Sequence, residues 1–271
     1  EKDDIAQLGF QSSRTLHLQI EAMKRAFADR ATHMGDPDFT SVPVEQLLSL
    51  DYLKRRRGEI NEQATPASSI KGMGGSHEGE NTTHYSIVDA EGNLVANTYT
   101  LNTSYGSGVV IPGTGVLMNN EMDDFTSRPG EPNAYGLIQS EKNAIAPGKR
   151  PLSSMTPTIV MKDAKAFLVL GSPGGPTIIN TVYQTIVNVV DFGMNPQQAV
   201  SAPRFHHQWL PDTIRWEPFG LSADVRKAME ARGHVFEDAG RLMGSCHMIQ
   251  LVQDRRVGID PRVSSAGAAG F

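Results

Sequence analysis

The hydrophobic pattern of this chain changes period once, and a glycine-rich stretch marks the change. From Leu16 the apolar residues Leu16, Ile20, Met23, Phe27 and Met34 recur at helical spacing until Gly35-Asp36-Pro37 stops them. That spacing predicts an amphipathic helix packed on one face. Shorter helical pieces are predicted around Val44–Leu48 and Asp51–Arg57. After Ile60 the period is lost. Residues 61–81 hold Pro66, Gly72, Gly74, Gly75 and Gly79 among Ser, Asn, Gln and Glu, the composition of a mobile linker or a plain surface loop.

Beyond the linker the period is two. His84–Asp89 and Leu94–Leu101 flank the turn Ala90-Glu91-Gly92-Asn93, a hairpin signal, and Thr158–Lys162 with Ala166–Leu170 make another across Asp163-Ala164-Lys165. A helix is predicted from Pro176 to Asp191, its apolar face taking Ile178, Ile179, Val182, Ile186, Val189 and Val190. Shorter elements follow: helices near Pro196–Ser201 and Ser222–Arg232, strands near Thr213–Glu217 and His247–Gln253. The layout is mixed α and β with antiparallel hairpins, which implies helices packed on sheets. Three segments result: a helical part at 1–60, a linker at 61–81 and a mixed domain at 82–271.

With 39% hydrophobic and 20% charged residues, the 271-residue chain has the composition of a globular protein. Its 25 basic and 30 acidic residues argue against a nucleic-acid binder, which carries a basic stripe. The longest apolar run, Thr177–Phe192, is broken by Asn180, Gln184 and Asn188, so no membrane span is expected. Cys246 is the only cysteine, which excludes an intrachain disulfide and cysteine-based metal sites; it is expected in the core. His206-His207 has no evident third ligand, and neighbouring side chains on a strand face opposite ways, so no metal is expected there. The chain begins with Glu1 and no signal-peptide pattern, and it is read as a processed or truncated product.

The chemistry-bearing segment is Thr82-Thr83-His84-Tyr85-Ser86, then Gly92-Asn93, Thr100-Leu101-Asn102 and Tyr105-Gly106. By residues alone this is a hydroxyl cluster opening a strand, equally the mark of ordinary β-propensity. Gly171-Ser172-Pro173-Gly174-Gly175 before a helix suits anion stabilisation but matches neither G-x-G-x-x-G nor the lysine-bearing phosphate loop. Asp123-Asp124 alone would suit a solvated turn. With Asn119-Asn120-Glu121-Met122-Asp123-Asp124-Phe125, Pro151-Leu152-Ser153-Ser154-Met155 and Pro203-Arg204-Phe205-His206-His207-Gln208-Trp209, five ordered motifs result. Together they resemble the small subunit of the γ-glutamyltranspeptidase family. Phe27-Ala28-Asp29-Arg30 and Gly35-Asp36-Pro37-Asp38-Phe39 are similar to the end of the family's large subunit.

The resemblance implies an α+β fold, the four-layer αββα sandwich of N-terminal-nucleophile hydrolases, incomplete where the precursor's N-terminal portion is absent. It implies self-cleavage between Asn81 and Thr82, giving pieces of 81 and 190 residues from the 271. Thr82 then attacks glutathione-like γ-glutamyl amides through an acyl-threonine intermediate, passing the acyl group to an amino acid, dipeptide or water without a cofactor. Thr100 orients Thr82, and Gly174 and Gly175 form the oxyanion hole, where Pro176 suits the first helical position and the helix dipole favours negative charge. Asn102, Glu121 and Asp124 take the α-ammonium, and Ser153 and Ser154 the α-carboxylate. Tyr135 closes a lid at Pro129–Ser140, a stretch that by residues alone is equally a surface loop. His84 is not required as a base, because the freed amine of Thr82 supplies one.

The family's carboxylate-binding arginine falls outside this chain, and its location is expected to be periplasmic or secreted. A related acylase for glutaryl-type side chains, or an enzyme acting on polyglutamate, shares the chemistry. A reading of another class makes the chain a silent precursor fragment that pairs with its missing portion or with itself, covering exposed apolar edges.

Overall fold

A computed structural model describes residues 3–71, 82–126, 128 and 140–270. The predicted lid residue Tyr135, Asn81 and residues 72–80 of the predicted linker lie outside the described residues. In chain order the elements are α1 (Ile5–Leu8), α2 (Ser13–His33), α3 (Val44–Leu47), α4 (Leu50–Gly58), β1 (Thr82–Val88), β2 (Leu94–Thr100), β3 (Thr158–Lys162), β4 (Lys165–Gly171), α5 (Thr177–Val190), α6 (Pro196–Ser201), β5 (Phe205–His206), β6 (Arg215–Trp216), α7 (Ala223–Ala231), β7 (His247–Leu251) and β8 (Arg255–Gly258). The class is α+β. The chain divides into two compact units, the first made of residues 1–78, 121–153 and 205–241, the second of 79–120, 154–204 and 242–271.

The first unit is organised by α2. Ser12 caps it by accepting the Thr15 N–H at 3.2 Å, and Leu16, Ile20, Met23 and Phe27 are buried as the spacing predicts. The same helix also buries Glu21, Lys24 and Arg25. Glu21 accepts from Arg25 Nη1 at 2.6 Å and from the Thr65 N–H at 3.1 Å. Lys24 Nζ donates to Thr65 O at 2.7 Å and meets Asp212 at 2.8 Å. Asp212 in turn accepts the Ala67 N–H at 2.7 Å, and the Trp209 indole donates to Ala67 O at 2.9 Å. The part of the predicted linker that precedes Gly72 is thus fastened to α2 at Thr65 and through Ala67. Composition showed no period there because its partners are side chains on distant elements.

The second unit is layered. Strands β1 and β2 form a hairpin with register Thr82↔Thr100 through Val88↔Leu94. The Asp89 carboxylate tightens its turn by accepting the Asn93 N–H at 2.8 Å, with Gly92 at φ 89°. A second, antiparallel sheet runs in the order β3-β4-β7-β8. On one face Leu168, Leu170 and Met248 form a core with Ile178, Val182 and Val189 of α5 and Ala199 and Val200 of α6. On the other face the β1–β2 hairpin packs against β4. A Cβ on Gly171 would lie 2.3 Å from the His84 ring, so only glycine lets the hairpin come that close. Helices, sheet and hairpin make three layers within this unit. Strand β1 begins two residues earlier than predicted, and β5 and β8 were not predicted. Arg255, Arg256 and Val257 are all exposed, so β8 lacks the alternation that announces a strand.

One buried carboxylate ties the second unit's loops. Asp260 accepts from Arg204 Nη2 at 2.5 Å and the Cys246 N–H at 2.7 Å, and from Arg262 Nη1 at 3.0 Å. Burial raises its carboxyl, but the two guanidinium groups outweigh this and hold it below the ordinary range. Replacing it strands two largely buried cations. Asp260→Ala is expected to cost about 3–5 kcal/mol and lower the Tm by on the order of 10 °C. A thermal melt within about 2 °C of the parent would contradict this role.

Candidate active site

Thr82 is the first residue of β1, and its Cα partner across the hairpin is Thr100, the last residue of β2. The two predicted threonines therefore form the terminal pair of one ladder. The Thr100 hydroxyl accepts the Asn102 N–H at 2.8 Å. Asn102 sits at φ 78°, a left-handed conformation that asparagine tolerates better than most residues, and its Nδ2 donates to Asn120 O at 3.1 Å. Asn120 closes the latch: its N–H donates to Leu101 O at 3.1 Å, and its Oδ1 accepts the Thr103 N–H at 3.1 Å. Sequence reasoning gave Asn120 no role. Its only signal was membership of the Asn119–Phe125 motif, because the bond closes over a loop with no period.

Thr82 lines two cavities of the second unit. One, of about 450 Å³, is bounded by Thr82, His84, Pro173, Ser245 and His247. The other, of about 650 Å³, is bounded by Thr82, Thr100, Leu101, Tyr105 and Val116. The glycine turn comes next to the first of these. Gly174 and Gly175 have φ of 131° and 55°, and a Cβ on Gly174 would lie 2.6 Å from Thr177 Oγ1. Gly174 O accepts the Thr177 N–H at 3.1 Å, so its carbonyl points into α5. The trans peptide plane then turns the Gly175 N–H away from the helix, the orientation an anion at the N-terminus needs. Pro176 has helical φ and ψ but stands just before Thr177, the first residue of α5, rather than at the first helical position. Ser172 supports the turn, its hydroxyl accepting the Ser245 N–H at 3.0 Å.

The remaining predicted site residues divide between the units. Ser154 lies in the second and is buried. Glu121, Asp124 and Ser153 lie in the first, the two acids on the single turn Glu121–Asp124. Burial pushes the Glu121 carboxyl up, against a hydrogen bond with Asp124 that lowers it. Asn143, another residue without a predicted role, ties this turn to the segment carrying Ser153: it donates to Asp124 O at 2.7 Å and accepts the Leu152 N–H at 2.9 Å.

The adjacent histidines singled out in the sequence have protein partners, His206 with Gln208 at 2.9 Å and His207 with Asp212 at 3.2 Å. Among the described residues no group of three His, Cys, Asp or Glu is placed to hold a metal, and no helix is long and apolar enough to cross a membrane. Burial pushes the Cys246 thiol up to about 11, which suits a core thiol.

A helix layer, a four-stranded sheet and a hairpin opened by threonine define an α+β sandwich of the N-terminal-nucleophile hydrolase class. The particular family follows from comparison with known proteins: the sequence model of the γ-glutamyltranspeptidase family matches residues 1–270, and the chain belongs to that family. The glutathione hydrolase proenzyme of Pseudomonas sp. strain A14 is 53% identical over 231 residues, 85% of this chain and 40% of the relative. The γ-glutamyltranspeptidase of Pseudomonas nitroreducens superposes with a TM-score of 0.66 at 47% identity, over 70% of this chain and 100% of the solved chain. A cephalosporin acylase from Bacillus halodurans superposes with a TM-score of 0.77 at 30% identity, over 99% of this chain and 48% of its own. The chain spans less than half the length of the curated relatives it matches.

The local environment of β1 gives a pH test. His84 is buried, with Nδ1 2.7 Å from Thr98 Oγ1 and Nε2 3.0 Å from Ser86 Oγ. Burial, with a smaller contribution from His247, lowers its pKa from 6.5 to about 4. The imidazole is neutral at pH 7, and the unfolded chain binds the extra proton first as pH falls. Stability is therefore full above about 6.5 and declines by about 3 kcal/mol between there and about 4. Proton titration of His84 by NMR is expected to show a midpoint near 4. A midpoint at 6 or above would show a solvated ring and a hairpin not seated on Gly171.

Proposed function

We propose that this chain is the catalytic part of a γ-glutamyltransferase/hydrolase that acts through an acyl-Thr82 intermediate. The observation that carries the reading is the Thr82↔Thr100 pair at the open end of the hairpin, with Thr82 lining two cavities. In maturation Thr82 Oγ attacks the Asn81 carbonyl, the acyl group moves from nitrogen to oxygen, and water hydrolyses the ester. The freed α-amine has a pKa near 8, against about 10.4 for lysine, so a useful fraction is neutral at pH 7. It takes the proton of Oγ as the oxygen attacks the γ-carbonyl of the donor. The Gly174-Gly175 turn at the start of α5 receives the oxyanion, and the amine proton passes to the departing nitrogen. Water or an amino acceptor then resolves the acyl-threonine.

Two further observations support it. Residues 82–271 are 190 of 271, or 70% of the chain, the same share that the whole Pseudomonas nitroreducens chain covers. The Glu121–Asp124 carboxyl pair suits an α-ammonium, with Asn102 as a third ligand and Ser153 and Ser154 for the carboxylate. Leu48, Leu50 and Leu53 of the first unit are 70%, 64% and 48% exposed, and the remainder of a longer precursor is the partner proposed to cover them.

A second reading, a glutaryl-type acylase, is favoured by the cephalosporin acylase superposition. Such a substrate has no ammonium for the acid pair to hold, so γ-glutamyl donors are the first choice. The full-length protein is expected to release p-nitroaniline from γ-glutamyl-p-nitroanilide, faster when a dipeptide acceptor is added. Thr82→Ala is expected to lose about 10³-fold or more. Equal turnover by Thr82→Ala and its parent would remove the threonine mechanism.

A further inference from the structure

Asn143 is fully buried, on the short turn Glu141–Asn143 of the first unit. Its side chain spans two separate stretches of backbone. Nδ2 donates to the carbonyl of Asp124 at 2.7 Å, and Oδ1 accepts the N–H of Leu152, the residue before Ser153, at 2.9 Å. Its main chain adds a third tie, with Asn143 O accepting the Thr126 N–H at 2.9 Å. A planar carboxamide presents a donor and an acceptor at fixed separation. Aspartate ionised at neutral pH offers only acceptors, and a shorter hydroxyl cannot reach both stretches.

We infer that Asn143 sets the spacing between the α-ammonium ligand Asp124 and the α-carboxylate ligand Ser153, and so selects donors carrying an amino-acid head group. The inference rests on the proposed roles of Asp124 and Ser153. Asn143 is a positioning residue: it reaches substrate through the backbone of the two ligands. The segment it holds is independently anchored, because Arg150 donates to Asp36 through its N–H at 2.8 Å, Nε at 3.0 Å and Nη2 at 2.6 Å. With Asp36 fixing Arg150 and Asn143 fixing Leu152, removal of the carboxamide frees the Asp124 turn relative to Ser153 without releasing the Ser153 segment. Binding of the head group then suffers, while the threonine pair and the glycine turn are untouched.

The test uses the full-length protein as parent, Asn143→Asp and Asn143→Ser. The serine variant keeps the main-chain bonds and opposes no like charge, so it guards against a misfolded aspartate variant; self-cleavage before Thr82 reports folding in each. With γ-glutamyl-p-nitroanilide, KM is expected to rise about tenfold in the variants while kcat stays within about twofold. With glutaryl-p-nitroanilide, which keeps the reacting carbonyl and the carboxylate but lacks the ammonium, the spacing between the two ligands is not read and kcat/KM is expected to be unchanged. Unaltered KM for the γ-glutamyl substrate, or equal losses on both substrates, would overturn the inference while leaving the proposed function intact. A parent that turns over glutaryl but not γ-glutamyl anilide would overturn both.

Discussion

The seating of β1 on β4 governs where the proposed nucleophile can be. His84 lies over Gly171 so closely that any side chain there would occupy the imidazole's place. The ring is held by two hydroxyls, Thr98 and Ser86, one on each strand of the hairpin. Their bonds satisfy both nitrogens of a neutral ring in a dry site, where a charged ring would be costly. Two residues upstream on the same face of the strand is Thr82, since successive side chains alternate. Its position follows from the packing of His84, and so does its pairing with Thr100. The histidine in the family motif thus has a structural reason to be present, independent of any part in proton transfer.

Loops carry most of the proposed ligands, and polar side chains with fixed geometry hold these loops still. Asn120 latches the turn after β2, Asn143 joins two stretches of the first unit, and Asp260 gathers donors from Arg204, Cys246 and Arg262 in the second. Buried ion pairs of this sort are weak evidence for stability, since desolvation offsets much of their attraction. What they supply is position, because each bond is directional and each group left alone would be expensive. Glu21, Lys24 and Arg25 serve the same purpose for the segment that precedes the proposed cleavage site. That segment is tethered near Thr65 and Ala67 before the chain reaches Thr82.

Much of this was legible in the sequence. The helix from Leu16, the hairpin around Gly92-Asn93, the strand pair around Asp163 and the helix after Pro176 all announced themselves by period and by turn residues. The pairing of Thr82 with Thr100 was expected from the family resemblance alone, because the period starts the first strand at His84; the observed register, Thr82↔Thr100, adds the two residues that the period missed. The illegible parts have a common cause. Strand β8 is an exposed edge rich in arginine, β5 is two residues long, and the tether at 61–67 owes its order to partners on α2 and near Trp209. Asn120 and Asn143 act by bonding to main chain far along the sequence, and no local pattern encodes such a partner.

The account turns on Thr82 becoming an N-terminus. Intact mass of the denatured full-length protein, beside its Thr82→Ala variant, reads this directly. Two polypeptides are expected from the parent, the smaller-numbered ending at Asn81 and the other beginning at Thr82, with a single chain from the variant. A parent that stays in one piece while hydrolysing γ-glutamyl anilide would contradict the account, because Thr82 would then lack the free amine that serves as its base.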